Sequence, residues 1–205
     1  MARSETPYHH GDLRRALLVE AARIVETDGV GALTFRELGR RLGVSHAAPA
    51  NHFADKAALL AELAAEGFDE LATALEVAAG EGRTPAAHLR AAGRAYVTFA
   101  RRKPGHFRVM FAGGFSRAAP SPHLATAGAR AYTALEGPVV AALAGRRTPE
   151  RIREASFLAW SVVHGAAMLI LDAPMSPHLA APGDQLALQA LVDQAIRAVS
   201  ESISG

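Results

Sequence analysis

The sequence predicts an all-α protein, and three observations carry that prediction. Alanine supplies 46 of the 205 residues, and it is the strongest helix former while filling little core volume. No stretch alternates apolar and polar residues over the length of a strand. Helix-start signals recur in one form, a hydroxyl residue followed by proline, at Thr84-Pro85, Ser121-Pro122 and Thr148-Pro149. The hydroxyl accepts from an orphan N–H, and proline suits the first helical turn because its missing N–H is not needed there. Gly/Pro-rich punctuation at 80–85, 112–122, 144–149 and 172–183 then delimits helices near 55–79, 85–103, 122–143, 149–172 and 184–203. Gly137-Pro138 is expected to break or kink the third of these.

Composition narrows the class of function. Half the residues are apolar and the net charge is only +2, which argues against a mainly disordered chain. The absence of cysteine removes disulfide scaffolds, cysteine-ligated zinc, thiol nucleophiles and thiol switches. The N-terminal stretch 1–12 lacks the apolar run of a signal peptide. The longest uncharged apolar run, 157–171, has 15 residues and falls short of the ~18–20 that span a bilayer. A buried helix in a soluble, cytoplasmic protein with no membrane partner is the expectation.

Charge lies in blocks. Residues 57–82 carry six acids and no base, whereas residues 83–130 carry nine bases and no acid. Opposite signs on neighbouring segments predict helices that lie against one another, with solvated arginine faces as the plainer alternative.

Function concentrates in residues 12–56. Leu13, Leu17, Ala21, Ile24 and Val25 recur at helical spacing in a first helix ending at Asp28-Gly29. Thr34-Phe35-Arg36-Glu37 reads as a capping box in which Glu37 reaches back to the Thr34 backbone. A short second helix follows, with Phe35, Leu38 and Leu42 on one face. Gly43 suits a left-handed turn, and Ser45 is placed to cap a third helix. Two short helices joined this way form a helix-turn-helix, whose second helix enters the DNA major groove, or an αα-hairpin that only packs a core. Arg40, Arg41 and Lys56 near the turn favour DNA.

The stretch LTFRELGRRLGVSHAAPANHFADKAALL resembles the DNA-binding domain of TetR-type transcriptional regulators, whose third helix ends in Tyr-x-His-Phe and continues x-x-Lys-x-x-Leu. Asn51-His52-Phe53 and Lys56-Ala57-Ala58-Leu59 match that tail. The opening YHHGDLRRAL, together with Trp160, His164 and Gly165, resembles the subgroup with a WHG-type C-terminal domain. The resemblance implies a DNA-binding domain over 1–56, with an arm over 1–11, and a helical effector-binding and dimerisation domain over 57–205.

It also implies roles by position. Thr34 presents a helix N-terminus to phosphate, and Ser45 and His46 open the recognition helix. Asn51 reads a base edge, adenine being its bidentate partner, or binds phosphate. His52 and Lys56 face the backbone, and Arg40 completes the DNA-binding set. One departure stands out: Ala50 occupies the position of the family's tyrosine, and no Arg or Lys lies between Ser45 and Phe53. Weaker or more salt-sensitive operator binding than in a typical relative is the expectation, with Arg14, Arg15 and the N-terminal arm (Arg3, His9 and His10) placed to compensate at the backbone.

Downstream, Leu60, Leu63, Gly67, Leu71 and Leu75 form an apolar stripe. Ile152, Ala155, Ala159, Val162 and Ala166 form a second, and Leu188, Leu191, Ala195, Val199 and Ile203 a third; the last two suit either core packing or a two-fold four-helix bundle. Phe99, Phe107, Phe111, Trp160, His164 and Met168 are the candidate effector-binding residues. No HExxH helix, G-x-S-x-G elbow, P-loop or GxGxxG occurs, and no cofactor or metal is expected. The expected function is a dimeric, ligand-responsive repressor released from a palindromic double-stranded operator by a small-molecule effector. The alternative is a helical small-molecule-binding protein with weakened or lost DNA binding.

Overall fold

A computed structural model describes residues 10–81, 83–112, 121–143, 145, 147–171 and 185–204. Residues 1–9 of the N-terminal arm, 113–120 of the 112–122 punctuation and all of the 172–183 punctuation therefore lie outside the described residues. Among those described, helices are the only regular structure: α1 (His10–Asp28), α2 (Phe35–Leu42), α3 (Lys56–Ala79), α4 (Pro85–Arg102), α5 (Pro104–Phe111), α6 (Pro122–Ala142), α7 (Pro149–Leu171) and α8 (Gln185–Ser204), with 3₁₀ turns at Val30–Ala32 and Ala48–Asn51.

Each of the three Ser/Thr-Pro boundaries named above starts a helix by the expected bond. Thr84 Oγ1 accepts from Ala87 N, Ser121 Oγ from Leu124 N and Thr148 Oγ1 from Arg151 N, each at 3.2 Å. Helix α5 was not legible from periodicity: Lys103-Pro104 reads as an end, yet Pro104 begins a new eight-residue helix. Pro138 does not break α6, which continues through it to Ala142. The segment is otherwise well suited to helix, so one lost backbone hydrogen bond is tolerated.

The chain forms two compact units. The first holds residues up to Glu66 together with Gly105–Ala125; the second holds Gly67–Pro104 and Thr126 onward. The division falls within α3 and assigns α5 to the first unit. In the first unit, Leu17, Ile24, Val25, Leu33, Leu38, Leu59 and Leu63 are fully buried. Gly105 is required there by close approach, because a Cβ on it would lie 2.1 Å from the Ala22 carbonyl oxygen of α1.

In the second unit α4, α7 and α8 pack against one another. Leu89, Val139, Leu143, Ala155, Ala159 and Ile203 form its core, with Ile152 and Val199 packed on the margin. The charge blocks pair here: Lys103 Nζ lies 2.9 Å from Glu70, and Arg130 bonds both Glu76 and Asp69. The α7 inner face is Ala155, Ser156, Ala159, Val163 and Ala167, so Val162 and Ala166 sit at its edge. On α8 the inner face is Val192, Ile196, Ser200 and Ile203, and Leu191 is exposed. Among the described residues α7 alone is long and apolar enough to cross a membrane by composition, with a mean hydropathy of 1.5 over its most apolar window.

Candidate nucleic-acid interface and apolar cavity

The hairpin is built around one carboxylate. Thr34 caps α2 by accepting from Glu37 N at 3.1 Å, as the sequence indicates. The reciprocal half of the capping box is replaced: the Glu37 carboxylate takes Arg40 Nε and Nη2 at 2.8 and 2.6 Å and Arg41 Nε at 2.7 Å. Two guanidinium forks outcompete a backbone N–H for a charged acceptor. The hydrogen bonds from Arg40, then those from Arg41, hold Glu37 down to about 2. Arg41 continues to Asp28 at 2.6 Å and Glu20 at 3.4 Å, tying α2 to α1. Gly43, at φ 67°, ends α2 in the left-handed conformation. Gly39 brings the turn close, since a Cβ there would meet the Val44 and Ser45 carbonyl oxygens at 3.2 Å.

The recognition segment departs from the expected helix. Ser45 does not cap it by its side chain; instead its carbonyl accepts from Ala48 N at 3.0 Å. The regular portion is the 3₁₀ turn Ala48–Asn51, preceded by Ala47 with no side-chain cap. Pro49 accounts for this. It offers no N–H to Ser45, and its ring crowds the carbonyl four residues back, so tighter three-residue bonds form. Pro49 and Phe53 are buried, whereas Ser45, His46, Ala47, Ala50 and Asn51 are exposed and His52 is half-buried.

Several basic residues around the hairpin are already engaged. Lys56 Nζ donates to the Val30 carbonyl at 2.7 Å. Arg14 pairs with Glu62 at 2.9 Å and lies 5.2 Å over the Phe53 ring. On α5, Arg108 donates to the Glu26 carbonyl at 2.7 Å. Asp55, which the sequence reading passed over, caps α3 by accepting from Ala58 N at 2.7 Å; its position before Lys56 is the signal that could have found it.

The candidate effector residues fall in four places. Phe107 and Phe111 belong to the first unit, their ring centroids 5.0 Å apart and Phe107 fully buried. Phe99 lines an open groove of ≈ 880 Å³ between the second half of α3 and α4, beside Val77, Arg94 and Arg102. Met168 is exposed on α7. Trp160 and His164 converge on Tyr96: Trp160 Nε1 donates to the Tyr96 hydroxyl at 3.2 Å, and that oxygen lies 2.9 Å from His164 Nδ1. Burial pushes the Tyr96 hydroxyl well up and holds His164 below the ordinary imidazole value. A neutral ring accepting at Nδ1 suits both. Tyr96 in turn lines an apolar cavity of ≈ 30 Å³ with Leu75, Leu89, Val162, Ile196 and Val199. Tyr96 is 64 and 68 residues from its partners, and no local pattern marks such a contact. Among the described residues no group of three or more His, Cys, Asp or Glu is placed to hold a metal ion.

Comparison with known proteins agrees with this architecture. The family model described as bacterial regulatory proteins, tetR family, matches residues 17–63, and the tetracyclin repressor-like C-terminal domain matches 89–198. A protein of unknown function from Rhodococcus sp. RHA1 is 35% identical, with 98% of this chain and 97% of that one covered at a TM-score of 0.74. A tetR-family regulatory protein from Rhodococcus RHA1 is 21% identical over 91% of this chain and 96% of its own, at 0.69. AibR, solved with isovaleryl coenzyme A and operator DNA, is 18% identical over 90% and 96%, at 0.65. No protein of curated function matches the sequence. The helix-turn-helix hairpin, the all-helical second unit and the two matched domains together establish that the chain belongs to the tetR family of bacterial regulatory proteins.

Proposed function

We propose that this chain is a ligand-responsive transcriptional regulator, a cytoplasmic homodimer that represses from a palindromic operator and is released by a small-molecule effector. The observation that carries the reading is the exposed turn Ser45–Asn51, held on a hairpin fixed by Glu37, Arg40 and Arg41. Residues 1–56 would read DNA, through Thr34, Arg40, Ser45, His46, Asn51, His52 and Lys56, and 57–205 would bind effector and dimerise. Two structural neighbours support the reading: AibR, solved with isovaleryl coenzyme A and operator DNA, and KstR2 of Mycobacterium tuberculosis, a ketosteroid transcriptional regulator.

Dimerisation is supported by apolar side chains left exposed on α7 and α8: Phe157 at 70%, Trp160, Met168, Leu169, Leu186 at 85% and Leu191. So many large apolar side chains left in water on two helices packed together mark an interaction surface, and a two-fold contact would bury them. For the effector, the Tyr96 cavity is the favoured seat. It holds little more than a water, so ligand entry would require the surrounding helices to separate. Coupling of ~1–3 kcal/mol between effector and operator states suffices for release.

The second reading, a small-molecule-binding protein with weakened DNA binding, is favoured by Ala50 and by the engagement of Lys56 and Arg14 within the protein. Selection of bound duplexes from a random library at low and moderate salt separates the two. An enriched palindrome supports the repressor; binding that merely fades with salt, without enrichment, supports the alternative. Light scattering on the purified chain tests the dimer.

A further inference from the structure

Resting on the DNA-binding reading above, we infer that the recognition turn reads its part of the half-site through thymine methyl groups and one adenine, with no arginine–guanine contact from the turn itself. The recognition turn presents two exposed methyl groups, Ala47 and Ala50, and one exposed carboxamide, Asn51. Ala50 N bonds the Ala47 carbonyl at 3.1 Å. One 3₁₀ turn therefore separates the two alanines, which places both methyls on the same edge. A rise of ~2.0 Å per residue sets them ~6 Å apart along the turn, close to two base steps of ~3.4 Å.

A methyl group has one complement on a base edge in the major groove, the thymine C5-methyl; a carboxamide pairs bidentately with adenine N6 and N7. Guanine is read chiefly by a cationic fork, and the turn has none. Arg40, the nearest exposed guanidinium at the end of α2, is held in a two-point contact with Glu37, and the exposed Arg36 lies at the other end of α2, outside the turn. Ala50 thus has a positive role: a side chain that gives up a phosphate bond exposes a methyl to the groove. Thymines two steps apart, with an adenine beside them, are the assigned core of each half-site.

The test uses the full-length protein and the duplex enriched by selection, with single-atom changes in the half-site. Uracil in place of each contacted thymine should weaken binding about fourfold per methyl removed. Replacing adenine with 7-deazaadenine should weaken binding about tenfold, and Asn51→Ala should abolish that sensitivity while retaining the uracil effect. 7-Deazaguanine in place of a guanine flanking those thymines and adenine should leave affinity unchanged. If uracil is without effect and 7-deazaguanine weakens binding, the inference is overturned, and the reading passes to His46. If no duplex is enriched over random sequence at low salt, the DNA-binding reading itself fails, and this inference with it.

Discussion

The Tyr96 hydroxyl lies 2.9 Å from His164 Nδ1, joining the middle of α4 to α7. The same oxygen accepts from Trp160 Nε1, so a single buried phenol satisfies two side chains one helical turn apart. Tyr96→Phe keeps the ring and removes the shared oxygen. The expected cost is about 1–3 kcal/mol, because both partners lose a hydrogen bond. Chemical denaturation should show it as a lowered midpoint with an unchanged slope.

Acidification should act on the same contact. Burial keeps the folded-state pKa of His164 below 6.5, so the unfolded chain binds more protons between the folded value and 6.5. Its contribution is complete above about pH 6.5 and declines as pH falls through that window. The wild-type melting temperature should drop on going from pH 7.5 to 5.5, and His164→Asn should flatten that drop. Glu37, held at about 2, should contribute no change in this range, since its own window lies between 4.5 and about 2.

Gly105 should tolerate no side chain. Alanine is the better helix former, yet a Cβ there would sit 2.1 Å from the Ala22 carbonyl. Gly105→Ala should therefore destabilise by about 1–3 kcal/mol, the usual range for overpacking against rigid backbone. A gain in melting temperature would show that α5 shifts freely along α1.

Glu37 restrains the arginines that the proposed DNA contact would use. Glu37→Gln removes the charge that holds Arg40, while Arg41 keeps Asp28 and Glu20, and the neutral amide keeps the size. Non-specific duplex affinity should rise, and the slope of log affinity against log salt should steepen by about 1 as the Arg40 guanidinium is released to phosphate. Fluorescence anisotropy at several salt concentrations reads both.

The parts of this fold legible in sequence are those decided within a few residues. Thr84, Ser121 and Thr148 each accept from an N–H three positions ahead, and a hydroxyl before proline announces that bond. The left-handed Gly43 is of the same kind. What escaped is either a competition between local rules or a long-range contact. Glu37 follows the capping-box pattern, but Arg40 and Arg41, on the next turn, are stronger partners than the Thr34 N–H. Pro49 reads as tolerable in a first helical turn, yet it tightens the whole segment to 3₁₀ geometry. Lys56 and Arg14 suit a phosphate by charge, but Val30, Glu62 and Phe53 receive them, and side-chain direction is a tertiary property. The Tyr96 contacts needed α4 and α7 to be placed before any reason for them existed.

The brevity of the 3₁₀ turn at Ala48–Asn51 sets a limit on information. A full recognition helix offers several turns of side chains; this one offers about three reading groups. At ~1–3 kcal/mol for each mismatched base pair, three positions discriminate by ~3–9 kcal/mol. A genome presents ~10⁶–10⁹ competing sites, and distinguishing one of them takes ~8–12 kcal/mol. One copy of the turn falls short over most of that range, whereas two copies on a symmetric site reach it. With so few letters read per half-site, pairing of the chain and spacing of the two halves would have to supply the rest of the address.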